Sequence, residues 1–389
     1  MSWPRYESEQ LYWEPDSSYP VSRRQLLRHK GPYFGAVAPL IANQQVLLSS
    51  GLLAIADEAV VELARFDVEV GQMVAPFSSI LLRSEAASSS QIENLTASPA
   101  AIIRAELGLK ETVNSSLIIS NQRAMSAAVA ASASLSLDSL LEIHRVLLKK
   151  FDPVNAGRLR DVPVWIGGDP YGPHKAQYVA PKASKVSELL DDLLAFCQRD
   201  DLPALVLVAI SHAQLESIHP FTDGNGRTGR ALVQVLLNRL GVTSSVMVPV
   251  SAGLLKNTAA YFGALDEYRA GNPEPIVEVF ARASLLAVSN GRVLARQLSS
   301  VRDSWNQILG VRSDAGANRL LDQLLASPVI NRLRAKELLA TTEANAQLAI
   351  DKLVEVGILT QQGSGQRNRV WQAEAVLTAL DDFALNLRR

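Results

Sequence analysis

The sequence predicts a mainly α protein with one small β-hairpin and a C-terminal winged helix. Three observations carry that expectation. Apolar residues recur at helical spacing over most of the span from 45 to 310, the pattern of amphipathic and buried helices. One Gly- and Pro-rich stretch, residues 151–182, breaks the pattern and holds two short extended segments,. Residues 315–389 read as three helical pieces and then a polar turn between two short extended segments, the element order of a winged helix.

Composition narrows the class. The chain has 389 residues, enough for two or three domains. It is 48% hydrophobic and 20% charged, which fits a globular protein rather than a disordered one. A net charge of −1 gives no global field toward nucleic acid or anionic lipid. The single cysteine, Cys197, allows no intrachain disulfide, and five scattered histidines argue against a Cys/His zinc cluster,. A lone cysteine fits a reducing compartment. The start, "MSWPRYESEQLYWEPDSSYP", lacks the charged head and apolar core of a signal peptide. No run of about 18 apolar residues appears. The sequence therefore reads as cytoplasmic, with no membrane partner.

The elements follow in order. Residues 1–32 are expected to be irregular, with Pro4, Pro15 and Pro20 as breakers,. "QVLLSSGLLAIADEAVVELARFD" predicts a helix,. The serine-rich seam "EAASSSQIENLTAS" (85–98) is open between a connector and a short helix presenting Glu93, because Ile92 and Leu95 are three apart. Residues 99–150 hold further helices; in "SLDSLLEIHRVLLKKF" Ser136 or Asp138 caps a helix carrying Leu140, Leu141, His144 and Leu147,. Within 151–182, Val164-Trp165-Ile166 and Gln177-Tyr178-Val179 are joined by a Gly/Pro-rich turn, so a hairpin is expected,. Helices resume at 183. In the tail "ANRLLDQLLAS", "RAKELLA" and "NAQLAIDKLVEVGIL" are helical, and "TTEAN" is the turn before the second helix of a helix-turn-helix pair,.

The densest chemistry lies in "LESIHPFTDGNGRTGRALVQVLLNRLG". Leu205, Val208, Ala209, His212 and Leu215 mark a helix before the loop. Leu232, Val235, Leu236 and Leu240 mark one after it, stopped by Gly241,. Pro220, Gly224 and Gly226 preclude a continuous helix. Glycines let several N–H groups converge, and the second helix adds its N-terminal donors and positive dipole end. That is an anion site suited to phosphate. Arg227 and Arg230, three apart, suit a di- or triphosphate,. Asp223 beside nucleotide phosphates is a common way to hold Mg2+. His219 ends the first helix, and a histidine, with an ordinary pKa of ~6.5, suits a general base. Singly, each has a plainer reading: a surface His, an Asp-Gly turn, solvated arginines. Base, metal ligand, glycine cradle and two arginines within residues 219–230 outweigh those readings together. The stretch is not a P-loop, since no G-x-x-x-x-G-K-[ST] is present,.

"HPFTDGNGRTGR" matches in full the signature H-P-F-x-[DE]-G-N-G-R-x-x-R of the Fic family. "GRLRDVPVWIGG" followed by "YVAP" resembles that family's flap, a hairpin over the active site. "LLEIHRVLL" resembles an earlier core helix, and "NTAAYFGALDEYRAGNPEPIVEVF" the segment closing the nucleotide pocket. The resemblance covers about residues 35–295, and the tail is similar to a winged helix that some bacterial Fic proteins carry. It implies a Fic-fold helical core with a β-hairpin flap. The implied domains are an N-terminal helical region at 1–98 with an inhibitory helix at about 86–96, a catalytic core at 99–295, a linker helix at 296–314 and a winged helix at 315–389.

The resemblance also implies an activity, the transfer of AMP from ATP to a Tyr, Ser or Thr hydroxyl on a target protein. By that likeness His219 deprotonates the hydroxyl and Asp223 holds Mg2+ between the phosphates. Gly224, Asn225 and Gly226 line the anion hole, Arg227 holds the leaving phosphates and Arg230 the γ-phosphate. Phe221 faces the core. The flap residues Trp165, Ile166, Gly167, Gly168 and Tyr178 align the target by strand-like backbone bonds. Tyr261 and Phe262 pack near the adenine or are plain core aromatics. The run Ser89-Ser90-Gln91-Ile92-Glu93-Asn94 fits the family's inhibitory pattern [ST]-x-x-x-E-[GN]. In that class Glu93 replaces the γ-phosphate on Arg230, and Ser89 bonds nearby. Partners are then ATP and a hydroxyl-bearing protein; self-modification and a homodimer stay open. Two alternatives remain. The same fold removes AMP or moves another phosphate-containing group, or the protein is a winged-helix DNA-binding regulator. In the tail, Arg332, Arg334, Lys336, Lys352, Arg367 and Arg369 are nearly balanced by Glu337, Glu343, Asp351 and Glu355, so DNA is not expected to dominate.

Overall fold

The computed structural model describes residues 3–16, 22–73, 77–130, 132–309, 315–363 and 369–386. It is mainly helical, as the periodicity predicts. The N-terminus departs from the sequence reading. Strands β1 (Glu7–Trp13) and β2 (Gly31–Val37) pair antiparallel, with Gln10 opposite Phe34. The short helix α1 (Arg23–Leu27) lies between them. Pro4 and Pro15 flank β1 rather than break it; Pro20 lies outside the described residues. The alternation of a half-buried strand is present in Leu11 and Trp13 against exposed Gln10 and Tyr12,. Glu9 hides it, because this inward carboxylate is paired with Lys182.

Helices α2 (Ser50–Gly71), α3 (Phe77–Ile92), α4 (Pro99–Glu106), α5 (Val113–Ala130) and α6 (Leu137–Leu148) follow. Ser136 caps α6 in a reciprocal box with Ser139,. The seam is not a connector: residues 85–92 are the last turns of α3, and Glu93 comes just after its end. The expected hairpin forms as β3 (Trp165–Ile166) and β4 (Tyr178–Val179). Next come α7 (Val186–Cys197), α8 (Ala204–Ile218), α9 (Asn225–Arg239), α10 (Val250–Leu255), α11 (Thr258–Arg269) and α12 (Glu274–Leu309). Residues 296–309 continue α12 without a break, rather than starting a new helix. Among the described residues no helix is long and apolar enough to cross a membrane.

The chain forms two compact units, each gathered from separate stretches. One contains Met1–Glu58, Ala127–Leu240 and Ala259–Ala281. Every residue of α8 from 205 to 218 is buried, so this helix has no solvent face and is the unit's core. Helices α7 and α9 pack on it, and α6 packs on α9. Tyr6 and Tyr268 both donate to Gln214 Oε1, at 2.8 and 2.7 Å, which pins the N-terminal segment to α8.

The other unit contains Ala59–Ser126, Gly241–Thr258 and Arg282–Arg389. Here the seam serines are interior: Ser88, Ser89 and Ser90 are buried, and Ser90 donates to Ala86 O at 2.8 Å. Buried Glu85 accepts from Ser251 N and Oγ at 2.9 and 2.5 Å, tying α3 to α10. Asp67 accepts from the successive amides of Ser244, Ser245 and Val246 at 3.0, 2.9 and 2.8 Å. The tail runs α13 (Ala315–Ala326), β5 (Val329–Asn331), α14 (Arg332–Leu339), α15 (Glu343–Glu355), β6 (Thr360–Gln362), β7 (Val370–Gln372) and α16 (Glu374–Asn386). Its sheet has the order β5-β7-β6, all antiparallel. Thr342 caps α15 after a turn in which Ala340 is left-handed.

Candidate active site

Helix α8 stops at His219, whose backbone is left-handed with φ 52° and ψ 61°. For a residue with a Cβ that conformation costs about 1–2 kcal/mol, so the surroundings must hold it. His219 Nδ1 lies 3.1 Å from Glu216 O. A carbonyl only accepts, so Nδ1 carries the hydrogen and the basic lone pair resides on Nε2.

The last carbonyls of α8 have specific partners. Leu215 O accepts from His219 N at 2.9 Å. Ser217 O accepts from the Tyr178 hydroxyl at 2.5 Å. Ile218 O and His219 O accept from the Arg160 guanidinium at 3.3 and 2.7 Å. The same guanidinium donates to Val162 O at 3.0 Å and Pro181 O at 2.6 Å, the two roots of the hairpin. Burial pushes Arg160 down to about 10, which leaves it charged at neutral pH.

The loop to α9 is tied just as closely. Gly224 is the N-cap with φ 76°, and an added Cβ would stand 3.0 Å from Leu147 Cδ2, so glycine is required. Asn225 Oδ1 accepts from Phe221 N at 2.8 Å while its Nδ2 donates to Phe221 O at 2.9 Å. Its side chain is thus a brace for the loop, and its backbone belongs to the first turn of α9. That turn presents the N–H donors and positive dipole end of an anion site. His144, on α6, accepts from Gly157 N at Nδ1 and donates to Asp223 O from Nε2, each at 3.0 Å. Its ring stacks on buried Phe221 with centroids 3.7 Å apart. Burial pushes its pKa down, which keeps the ring neutral and the donor–acceptor pair intact.

The arginines of the loop are not solvated: Arg227 and Arg230 are 3% and 2% exposed. Arg227 Nη2 lies 3.2 and 3.3 Å from the two Asp223 carboxylate oxygens. The Asp223 side chain itself is 66% exposed. Among the described residues no three His, Cys, Asp or Glu converge on a metal. A cation here would take this one hard oxygen donor together with phosphate oxygens and water, which fits Mg2+.

The hairpin is rooted beside the end of α8. Gly167 and Gly168, with φ 74° and 76°, turn the chain after β3. Trp165 donates to Asp169 O at 3.0 Å and meets Trp13 edge-on at 5.2 Å. A groove of about 530 Å3 runs between β2 and β4, past Phe34, His174, Gln177 and Tyr178. Tyr261 is buried with its hydroxyl 2.7 Å from His212 Nε2, whereas the neighbouring Phe262 is 49% exposed. The structure places His219, Asp223, Gly224–Arg227, Arg230, the hairpin residues, Tyr261 and Phe262 in one unit, and Ser89 and Glu93 in the other. Sequence reasoning gave no role to Arg160 or His144, although both lie in quoted stretches, "GRLRDVPVWIGG" and "LLEIHRVLL".

A buried helix thus ends in a histidine, a glycine-capped helix opens an anion site behind it, and a hairpin is rooted on the end of the first helix. Residues 134–237 match the Fic/DOC family. A Fic family protein from Desulfovibrio desulfuricans G20 has the same fold, with a TM-score of 0.54 at 19% identity over 87% of this chain and 98% of that one. The protein adenylyltransferase fic-1 of Caenorhabditis elegans is 31% identical over 175 residues, 45% of this chain and 31% of that protein. The protein adenylyltransferase Fic of Nematostella vectensis is 29% identical over 184 residues, 46% of this chain and 37% of that protein. The chain thus spans about a third of the length of these relatives.

Proposed function

We propose that the protein is an adenylyltransferase that moves AMP from ATP to a Tyr, Ser or Thr hydroxyl of a target protein. The Nδ1–H bond of His219 to Glu216 O carries the reading, because it leaves the basic Nε2 on the loop that opens the α9 anion site. A target segment lies along the hairpin at Trp165–Ile166 and Tyr178. His219 Nε2 takes the hydroxyl proton as the oxygen attacks the α-phosphorus, and pyrophosphate leaves. The amides of Gly224, Asn225 and Gly226 hold the α-phosphate oxygens. Arg227 and Arg230 hold the leaving phosphates. Asp223 would hold Mg2+, which would supply charge neutralisation for the phosphates. Tyr261 backs the adenine pocket from the core, and Phe262 is its surface-side neighbour.

Glu93, with Ser89 on the turn before it, is the proposed brake, and its support is the [ST]-x-x-x-E-[GN] pattern at the end of α3. We read residues 1–98 as an N-terminal region carrying the inhibitory segment at about 86–96, 99–295 as the core and 315–389 as a winged helix joined through 296–314. The tail's basic side chains are neutralised in pairs: Arg332 with Glu343 at 3.1 Å, Arg334 with Glu337 at 3.1 Å and Lys352 with Glu355 at 2.9 Å. That favours protein docking over DNA for this module. Buried Cys197 is in keeping with a cytoplasmic setting,.

ATP labelled at the α- or the γ-phosphate tests the reading. Retention of the α-label on protein, lost in His219→Ala while ATP still binds, is the expected result. Retention of the γ-label alone would sink it, and release of AMP with no label on any protein would point to a hydrolase.

A further inference from the structure

We propose that Arg160 and Tyr178 are positioning residues through which the hairpin caps the base-bearing helix. The surface that receives the target and the nitrogen that removes its proton are then one mechanical piece. This inference rests on the adenylyltransferase reading above.

A helix end leaves its last carbonyls without intrahelical donors. Backbone N–H groups beyond the helix or water usually serve them. His219 itself serves Leu215 O and Glu216 O, and the donors to the carbonyls that follow are side chains of the hairpin and its root. Tyr178, on β4, takes Ser217 O. Arg160, on the segment entering β3, takes Ile218 O and His219 O, and its own amide donates to Pro220 O at 3.0 Å. With its remaining N–H groups the guanidinium holds Val162 O and Pro181 O, so one planar fork clamps both hairpin roots to the catalytic turn. Only a guanidinium spreads rigid donors this widely; an ammonium offers three from a single nitrogen. Tyr178 is itself braced. Arg269 lies over its ring at 3.9 Å and donates to Ser217 Oγ at 3.1 Å. Burial pushes the Tyr178 phenol well up, so it remains a donor.

The grip falls on the residue that most needs one. His219 stays left-handed only while its surroundings hold it, and its own carbonyl is in the Arg160 fork. The phosphate site is anchored by other groups, Asn225 on Phe221 and His144 on Asp223. Base placement and nucleotide binding therefore have separate anchors, and that separation is measurable.

The test uses the full chain, with and without Glu93→Gly, and the variants Tyr178→Phe and Arg160→Lys. ATP affinity is measured by calorimetry and AMP transfer with α-labelled ATP. Tyr178→Phe loses one hydroxyl and keeps its ring, so it folds even where Arg160→Lys does not. A displaced base slows transfer while substrate still binds. We expect kcat to fall about 10-fold in Tyr178→Phe and about 10²-fold in Arg160→Lys. The KM for ATP should stay within about twofold, the split expected when only transition-state geometry is lost. Both groups cap one turn, so the double variant should be little worse than Arg160→Lys alone. An active parent whose variants keep its kcat overturns the inference and leaves the adenylyltransferase reading standing. Parallel losses of kcat and ATP affinity also overturn it, since they report general loosening. A parent that transfers no AMP overturns both.

Discussion

Asn225 offers a decisive test of how the loop is built. Its side chain makes two bonds to one residue, accepting from Phe221 N at 2.8 Å and donating to Phe221 O at 2.9 Å, in a buried setting. Asn225→Ala removes both partners and leaves a donor and an acceptor stranded inside the loop. Each stranded group costs about 1–3 kcal/mol. Water entering the vacated space recovers part of that, so the net loss should be roughly 2–4 kcal/mol. The cleanest readout is local. A loss of about 2 kcal/mol in the protection of the Phe221 amide is a roughly 30-fold acceleration of its hydrogen exchange in the nucleotide-free protein. Asn225→Asp should behave alike, because it keeps the acceptor for Phe221 N but sets a carboxylate oxygen against Phe221 O. ATP affinity should fall in both, as a consequence of the loosened loop. If Asn225→Ala weakens ATP while the Phe221 amide exchanges as in the parent, the side chain is a nucleotide ligand and the brace described here is wrong.

Other outcomes follow from the same structure. Glu93→Gly should raise AMP transfer, self-modification included; a rate equal to the parent's would remove Glu93 from the inhibitory role. Burial pushes His212 down to about 3, below the ordinary histidine value of about 6.5, so the unfolded chain binds a proton that the folded one refuses. Its contribution to stability is complete above about pH 6.5 and is lost progressively as the pH falls toward about 3, about 2 kcal/mol by pH 5. Unfolding midpoints from pH 7 to 5 should therefore drop more steeply in the parent than in His212→Gln, and equal slopes would contradict the burial argument. Burial also pushes the Cys197 thiol up to about 11, so alkylation at pH 8 should be absent in the native protein and prompt in urea. Native labelling would show that the α7–α8 interface opens.

What could be read in advance was local. The α6 cap, open between Ser136 and Asp138, the turn at 341–345, the helix–loop–helix around 219–230 and the hairpin at 165–179 depend on neighbours a few residues apart, and short-range rules reach them. Roles that depend on distant partners were out of reach. Glu9 sits on an inward strand position because Lys182 meets it there, and nothing near residue 9 announces that lysine. Arg160 reads as one more arginine until α8 brings its carbonyls alongside. His144 reads as a core histidine until the loop delivers Asp223 O and Gly157 N to its two nitrogens. Asn225 reads as part of the phosphate-binding turn, and only the folded chain shows its side chain turned inward to Phe221.

The left-handed backbone of His219 bears on how such a protein can decay. Glycine would rest in that conformation without strain, and asparagine with little. Selection for a sturdier fold and selection for a proton acceptor therefore pull this codon in opposite directions. In a lineage released from the need for turnover, the expected drift at this position is toward glycine or asparagine, giving a sounder scaffold with a silent centre. A paralogue with that replacement, its Arg160 clamp and Asn225 brace intact, would be a candidate for duty as a nucleotide sensor or a decoy.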